Sequence, residues 1–139
     1  MRIRSKAREI ALCLLYEIEI SKQDYKKLLD NYFIKYPRKR DMKDFCSDLV
    51  AGVIDNMSCL NATIERYVQN WGLDRMAVID KNILRIASFE LIFLDDIPPK
   101  VSINEAVELA KKFGDIDSPR FVNGILDKIY KVGSKKKVA

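Results

Sequence analysis

The chain contains no histidine. That absence removes the Ser-His-acid and Cys-His nucleophile systems and every histidine-ligated metal site. Cysteine is scarce. Cys13, Cys46 and Cys59 lie far apart with no CxxC pair, and their odd number excludes an all-paired disulfide framework. Each falls within a helical pattern, so the expectation is of small buried thiols in a cytoplasmic protein. No stretch approaches the roughly 20 apolar residues needed to cross a bilayer. The opening Met1-Arg2-Ile3-Arg4 soon becomes amphipathic with acids, unlike a signal peptide. No GxGxxG or P-loop pattern occurs, and no internal repeat of roughly 20–50 residues. Glycine (5) and proline (4) together are about half the usual share, so turns are few.

What is present is a globular composition. The 139 residues are 48% hydrophobic and 32% charged. A chain of this size buries roughly two-thirds of its unfolded surface and needs no staple. Apolar residues recur at helical spacing nearly throughout. The first stripe is Ala7, Ile10, Ala11, Leu14, Leu15 and Ile18, after which Ser21 offers a cap. Tyr25, Leu28, Leu29, Tyr32, Phe33 and Tyr36 form a second, stopped by Pro37. Asp41 can cap a third, with Phe45, Cys46, Leu49, Val50 and Val53. A fourth follows Ser58 through Leu60, Ile64, Tyr67, Val68 and Trp71 and ends at Gly72. Asp74 can cap a helix from Arg75 to about Leu94, whose apolar residues wrap most of its circumference, as for a central helix. Ser102-Ile103-Asn104-Glu105 reads as a capping box with Val101 as its staple. Asp117-Ser118-Pro119 gives a last cap with proline at the first helical position. No strand survives. The expected fold is all-α, of about seven helices, over residues 1–132, with a basic, disordered tail at 133–139.

The net charge of +5 is unevenly spread. Residues 1–40 hold 11 Lys+Arg and 5 Asp+Glu, residues 41–119 hold 8 and 14, and residues 120–139 hold 6 and 1. Both ends are basic and the middle is acidic. If the ends meet, they form one cationic surface suited to a phosphate backbone, and the acidic middle suits a basic protein. The plainer reading is an unevenly charged, solvated surface.

Several residues stand out. Arg2, Arg4, Lys6 and Arg8 open the first helix with no acid among them. Cations at a helix N-terminus oppose the macrodipole by about 0.3–1 kcal/mol each when exposed, so this turn calls for an anionic partner. Tyr16 lies opposite the apolar stripe, either as a partner contact or under another helix. Glu90 sits in the apolar belt of the central helix, where a carboxylate should bond a neighbouring helix end or a basic side chain. Asp80 lies near that helix's start, as a solvated acid or as part of an anionic docking patch. Asp95-Asp96 and Asp115 with Asp117 are acids of the kind routine at caps, and no metal site is expected. Arg120 and Phe121 lie in the first turn of the last helix, where free N–H groups can receive a phosphate. Phe121 is either a base-stacking ring, worth about 1–3 kcal/mol, or the edge of a core stripe. No acid–base or nucleophile constellation is evident, so no catalytic residue and no cofactor are assigned.

Runs of the chain resemble the bacterial transcription antitermination factor NusB family. They are Ala7-Arg8-Glu9-Ile10-Ala11-Leu12-Cys13-Leu14-Leu15-Tyr16, Asp80 to Leu91 (DKNILRIASFEL), Ile97 to Lys111 (IPPKVSINEAVELAK), and Phe121 to Asp127 (FVNGILD). The likeness spans residues 4 to about 130. It implies an all-α fold of two small packed helical bundles and no enzymatic activity. It also implies binding of boxA-type single-stranded RNA together with the small-subunit ribosomal protein NusE, in the transcription elongation complex and notably on ribosomal RNA operons. By position, Arg4, Lys6 and Arg8 correspond to the family's arginine-rich start, and Asp117 and Phe121 to its RNA-side contacts; Arg2 and Arg120 join them as RNA-binding candidates on their charge and helix position alone. Tyr16 and Asp80 fall where the family meets the ribosomal partner. Ile3 and Ser5 interrupt arginines that run consecutively in many members, and Asp80 stands for a longer Glu. A related helical domain occurs fused to RNA cytosine methyltransferases, but this chain has no room for their cofactor domain. The contrasting expectation is a helical adaptor or homodimer with no direct RNA role.

Overall fold

The computed structural model describes residues 2–68 and 72–138, with side chains through residue 132. Seven α-helices form, and no strand occurs among the described residues. They divide into two compact units, Met1–Asp55 and Asn56–Ala139. The first holds α1 (Ile3–Ser21), α2 (Tyr25–Lys35) and α3 (Arg40–Asp55). The second holds α4 (Met57–Tyr67), a single 3-10 turn (Leu73–Arg75), α5 (Val78–Phe93), α6 (Pro99–Phe113) and α7 (Ser118–Val138).

In the first unit every helix packs against the other two. α1 buries Ala7, Ile10, Ala11, Leu14 and Leu15 of the stripe its spacing predicts, leaves Ile18 half-buried, and adds Leu12. α3 contributes Phe45, Cys46, Leu49, Val50 and Val53, and α2 contributes Leu28, Leu29 and Phe33. Each fully buried aliphatic side chain stabilises the unit by about 1.5–3 kcal/mol.

In the second unit α5 is the axis, packed against α4, α6 and α7. Residues 82–90 are all buried, as expected of a helix apolar on most sides. Two of its charged members are bonded inward, while the Ser88 hydroxyl is buried without a hydrogen-bond partner. Arg85 Nε donates to Asn61 Oδ1 at 2.9 Å and Arg85 Nη1 to Asn82 Oδ1 at 3.1 Å. Glu90 Oε1 accepts from Ser102 Oγ on α6 at 2.7 Å, so the carboxylate has the structural role expected of it.

Helix boundaries depart from the sequence reading where long-range contacts compete with local signals. Ser102 is not a cap: α6 begins at Pro99, in the first-turn position that suits proline, and the Ser102 hydroxyl is committed to Glu90. Val101 is accordingly exposed rather than a staple. Asp74 lies in the 3-10 turn, and α5 starts only at Val78. α4 ends at Tyr67 rather than Gly72, which is extended; Trp71 lies outside the described residues. Ser21 closes α1, donating back to the Glu17 carbonyl at 2.7 Å, and does not cap α2. Lys22 then takes the left-handed conformation at φ 58, and its N–H bonds the Ile18 carbonyl at 2.8 Å.

The thiols also differ from expectation. Only Cys46 is buried, and burial pushes its thiol up to about 12. Cys13 and Cys59 are exposed, because each falls on the outer side of its helix. α7 runs through Val138. The tail expected at 133–139 lies outside the residues whose side chains are described.

Candidate nucleic-acid interface

The first group of candidate residues lies in the first unit. α1 starts after Arg2, which makes no side-chain cap bond, and its first turn holds no acid. The positive end of the helix dipole therefore carries cations and no acid in its own first turn. Arg2 and Arg4 are exposed and Lys6 is half-buried. Arg8 differs: it is 3% exposed. Its guanidinium carbon lies 5.2 Å from the centroid of the Phe45 ring on α3, and that of Arg4 lies 4.5 Å from the same centroid. One aromatic ring thus receives both guanidinium groups of this edge of α1, by the attraction of cations to an aromatic face. Arg8 anchors this edge to α3, and Arg4 is held one turn earlier at the surface.

Tyr16, also on α1, is 43% exposed. It is not covered by another helix. Cys13 and Ile20, three residues before and four after, are exposed on the same side. Together they make an outward line of apolar character on a helix whose other face is core.

The second group lies in the second unit, where α6 hands over to α7. Asp117 was the expected cap, but Asp115 does the work. Its Oδ1 accepts from the Asp117 N–H at 3.0 Å, the Ser118 N–H at 3.1 Å and the Ser118 hydroxyl at 3.2 Å. The Ser118 hydroxyl in turn accepts from the Asp115 N–H at 3.0 Å. This closed turn leaves the Asp117 and Arg120 side chains exposed and Phe121 half-buried at the start of α7. Gly114 makes the turn possible. A Cβ there would lie 2.5 Å from Ser118 Oγ and 2.9 Å from the Ala110 carbonyl oxygen.

Asp80 belongs to the same corner. It is 8% exposed, and its Oδ1 has no hydrogen-bond partner. Burial raises its pKa above the ordinary 3.8; the Asp115 charge adds to the rise, and a bond from Ser118 opposes it. Asp80 is therefore not a solvated acid. It sits beside Asp115 and Ser118 of the α6–α7 turn.

Helical spacing turns Arg2 away from the core and sets Arg4 along the edge of the stripe; it leaves Tyr16 open between a partner contact and cover by another helix, and Phe121 open between a stacking ring and a core edge. It missed Phe45 as a shared platform and Ser118 with Asp115 as the neighbours of Asp80. Neither has a local signal, because each pairing joins different helices or turns. Cys13 and Ile20 were accessible to reasoning through their spacing from Tyr16. No group of three or more Cys, Asp or Glu residues able to hold a metal ion occurs among the described residues, and no helix is long and apolar enough to cross a membrane.

Comparison with known proteins agrees with the arrangement. A profile of the NusB family matches residues 5–131. The transcription antitermination protein NusB of Chloroherpeton thalassium is 43% identical over 129 residues, which are 91% of this chain and 61% of that protein. This chain thus spans less than two-thirds of that relative's length. Among solved structures, NusB of T. maritima superposes with a TM-score of 0.89 at 35% identity, covering 96% of this chain and 94% of that one. A complex of the antitermination factors NusB and NusE with double-stranded RNA contains a chain that superposes with a TM-score of 0.86 at 29% identity, covering 95% of this chain and 98% of that one. With a family profile spanning nearly its whole length, and with the helical order and the exposed basic start of α1 in place, the chain belongs to the NusB family.

Proposed function

We propose that this protein is a transcription antitermination factor that binds boxA-type single-stranded RNA together with NusE, the small-subunit ribosomal protein. It acts in the cytoplasm as a part of the elongation complex and carries out no reaction of its own. The observation that carries the reading is the start of α1: exposed Arg2 and Arg4 with Lys6, on a helix end without an acid, where cations are locally unfavourable. A phosphate strand turns that repulsion into attraction. In this reading the second unit contributes Asp117, Arg120 and the half-buried ring of Phe121. Arg8 acts by fixing the edge that carries Arg4. Tyr16, flanked by Cys13 and Ile20, receives the protein partner, and Asp80 supports the acidic corner presented to a basic protein. The related NusB–NusE complex with RNA supports the pairing of these two partners.

The test is fluorescence anisotropy of labelled boxA RNA with the protein alone, with NusE, and with both. A duplex of the same sequence is run alongside, since the related complex holds double-stranded RNA. For single strands, log K is expected to fall with log salt at about −0.7 per neutralised phosphate. Absence of binding to RNA and to NusE at low salt overturns the proposal. Charge reversal at Arg2, Arg4 and Lys6 is expected to abolish RNA uptake and leave NusE binding intact. If both persist unchanged, the adaptor or homodimer reading replaces it, and light scattering identifies which.

A further inference from the structure

Two glycines flank the candidate interface of the second unit, and their surroundings are opposite. Gly114 is required by the fold, because any Cβ there collides with Ser118 and the Ala110 carbonyl. Gly124 lies inside α7, and a Cβ built on it meets nothing within 4 Å. Glycine within a helix is less stable than alanine. The fold of this chain therefore gains nothing from the missing side chain, and loses helix stability by it.

The neighbours of Gly124 show what the gap fits. Arg120 and Lys128 lie one turn before and one turn after it on the same face, and both are exposed. They bracket about 12 Å of helix. Asn123 beside it is exposed and offers an amide. The nearest acid, Asp127, is engaged with Lys131 at 2.9 Å. A stretch of bare helix backbone between two cations, edged by an amide, matches a phosphodiester strand. A packed protein helix would instead require an apolar stripe here, whereas the line through residues 120, 124 and 128 carries none and the neighbouring Phe121 ring is half-buried.

We infer that Gly124 is the point at which the RNA sugar–phosphate backbone lies against α7, with Arg120 and Lys128 each neutralising a phosphate and Asn123 bonding the strand between them. The inference rests on the RNA-binding reading and extends its contacts by Asn123, Gly124 and Lys128.

Gly124→Ala, Gly124→Leu and Lys128→Gln separate this from a structural role, with thermal unfolding and boxA RNA anisotropy measured on the complex with NusE. Gly124→Ala is expected to raise Tm by about 2–5 °C, because alanine is the better helix former. Gly124→Leu is expected to weaken RNA binding by about tenfold, the loss that follows when a close contact is forced apart. Lys128→Gln is expected to lower the salt slope by about 0.7. NusE affinity without RNA stays unchanged in all three. Wild-type RNA affinity in Gly124→Leu overturns the inference while leaving the RNA-binding reading in place. A lowered Tm shows that the fold itself needs the gap, and a loss of NusE affinity shows a protein seat; either result overturns it as well. Failure of the unaltered protein to bind RNA removes the reading and the inference together.

Discussion

Phe45→Leu isolates the role of one ring. Leucine keeps an aliphatic body at a position that is nearly closed to solvent on α3, but it has no aromatic face. Two guanidinium groups lie within the roughly 6 Å range of such an attraction. Arg4 is exposed, so its share is about 0.5–1 kcal/mol; Arg8 is desolvated, so its share is about 2 kcal/mol. The variant should lose about 3 kcal/mol, a large fraction of the 5–15 kcal/mol typical of a domain. Urea unfolding followed by far-UV circular dichroism measures the loss. Double-mutant cycles with Arg8→Met and Arg4→Met then divide it, with the larger coupling expected at Arg8. The RNA readout adds a second check. Phe45→Leu removes no charge, so the salt slope should hold while the affinity falls, since Arg4 loses its support. Arg4→Gln should lower the slope by about 0.7, and Arg8→Met should leave it unchanged. A Phe45→Leu protein within about 0.5 kcal/mol of wild type, the range of ordinary surface changes, refutes the shared-platform argument.

Other consequences are equally direct. Ser102→Ala deprives Glu90 of a buried 2.7 Å hydrogen bond and should cost about 1.5–3 kcal/mol in urea unfolding, the range for bonds to charged groups. Lys22→Gly should stabilise the chain by about 1 kcal/mol in the same assay, because glycine accepts the left-handed conformation without the Cβ penalty. The raised Asp80 carboxyl means that the folded state holds its proton more tightly than the unfolded one. Stability from this group therefore falls as pH rises from the ordinary 3.8 through the folded value, and stays lower at neutral pH. Asp80→Asn should be more stable than wild type at pH 7 and lose that advantage below about pH 3.8, as unfolding measured across pH will show. A thiol reagent at pH 8 should label Cys13 and Cys59 rapidly and Cys46 only after unfolding.

The helices themselves were legible in the sequence, since Ala7, Ile10, Ala11, Leu14 and Leu15 repeat at the period of the face they bury. Their ends were less so. Ser102 has every local mark of a cap, but Glu90 on another helix claims its hydroxyl, and Pro99 already begins the helix. In the candidate interface helical spacing turns Tyr16 away from the core of its own helix, but that no other helix covers it is visible only in the fold. The burial of Arg8 does not follow from spacing either, because it depends on an aromatic ring in α3. Asp80 likewise reads as a favourable first-turn acid, and only the fold places Ser118 and Asp115 beside it.

The unbroken enclosure of residues 82–90 has a kinetic corollary. A helix gripped by α4, α6 and α7 cannot lift away without dismantling its neighbours, so its amide protons should exchange with deuterium only through global opening of the second unit. The exposed ends of the neighbouring helices can then open locally while α5 stays closed.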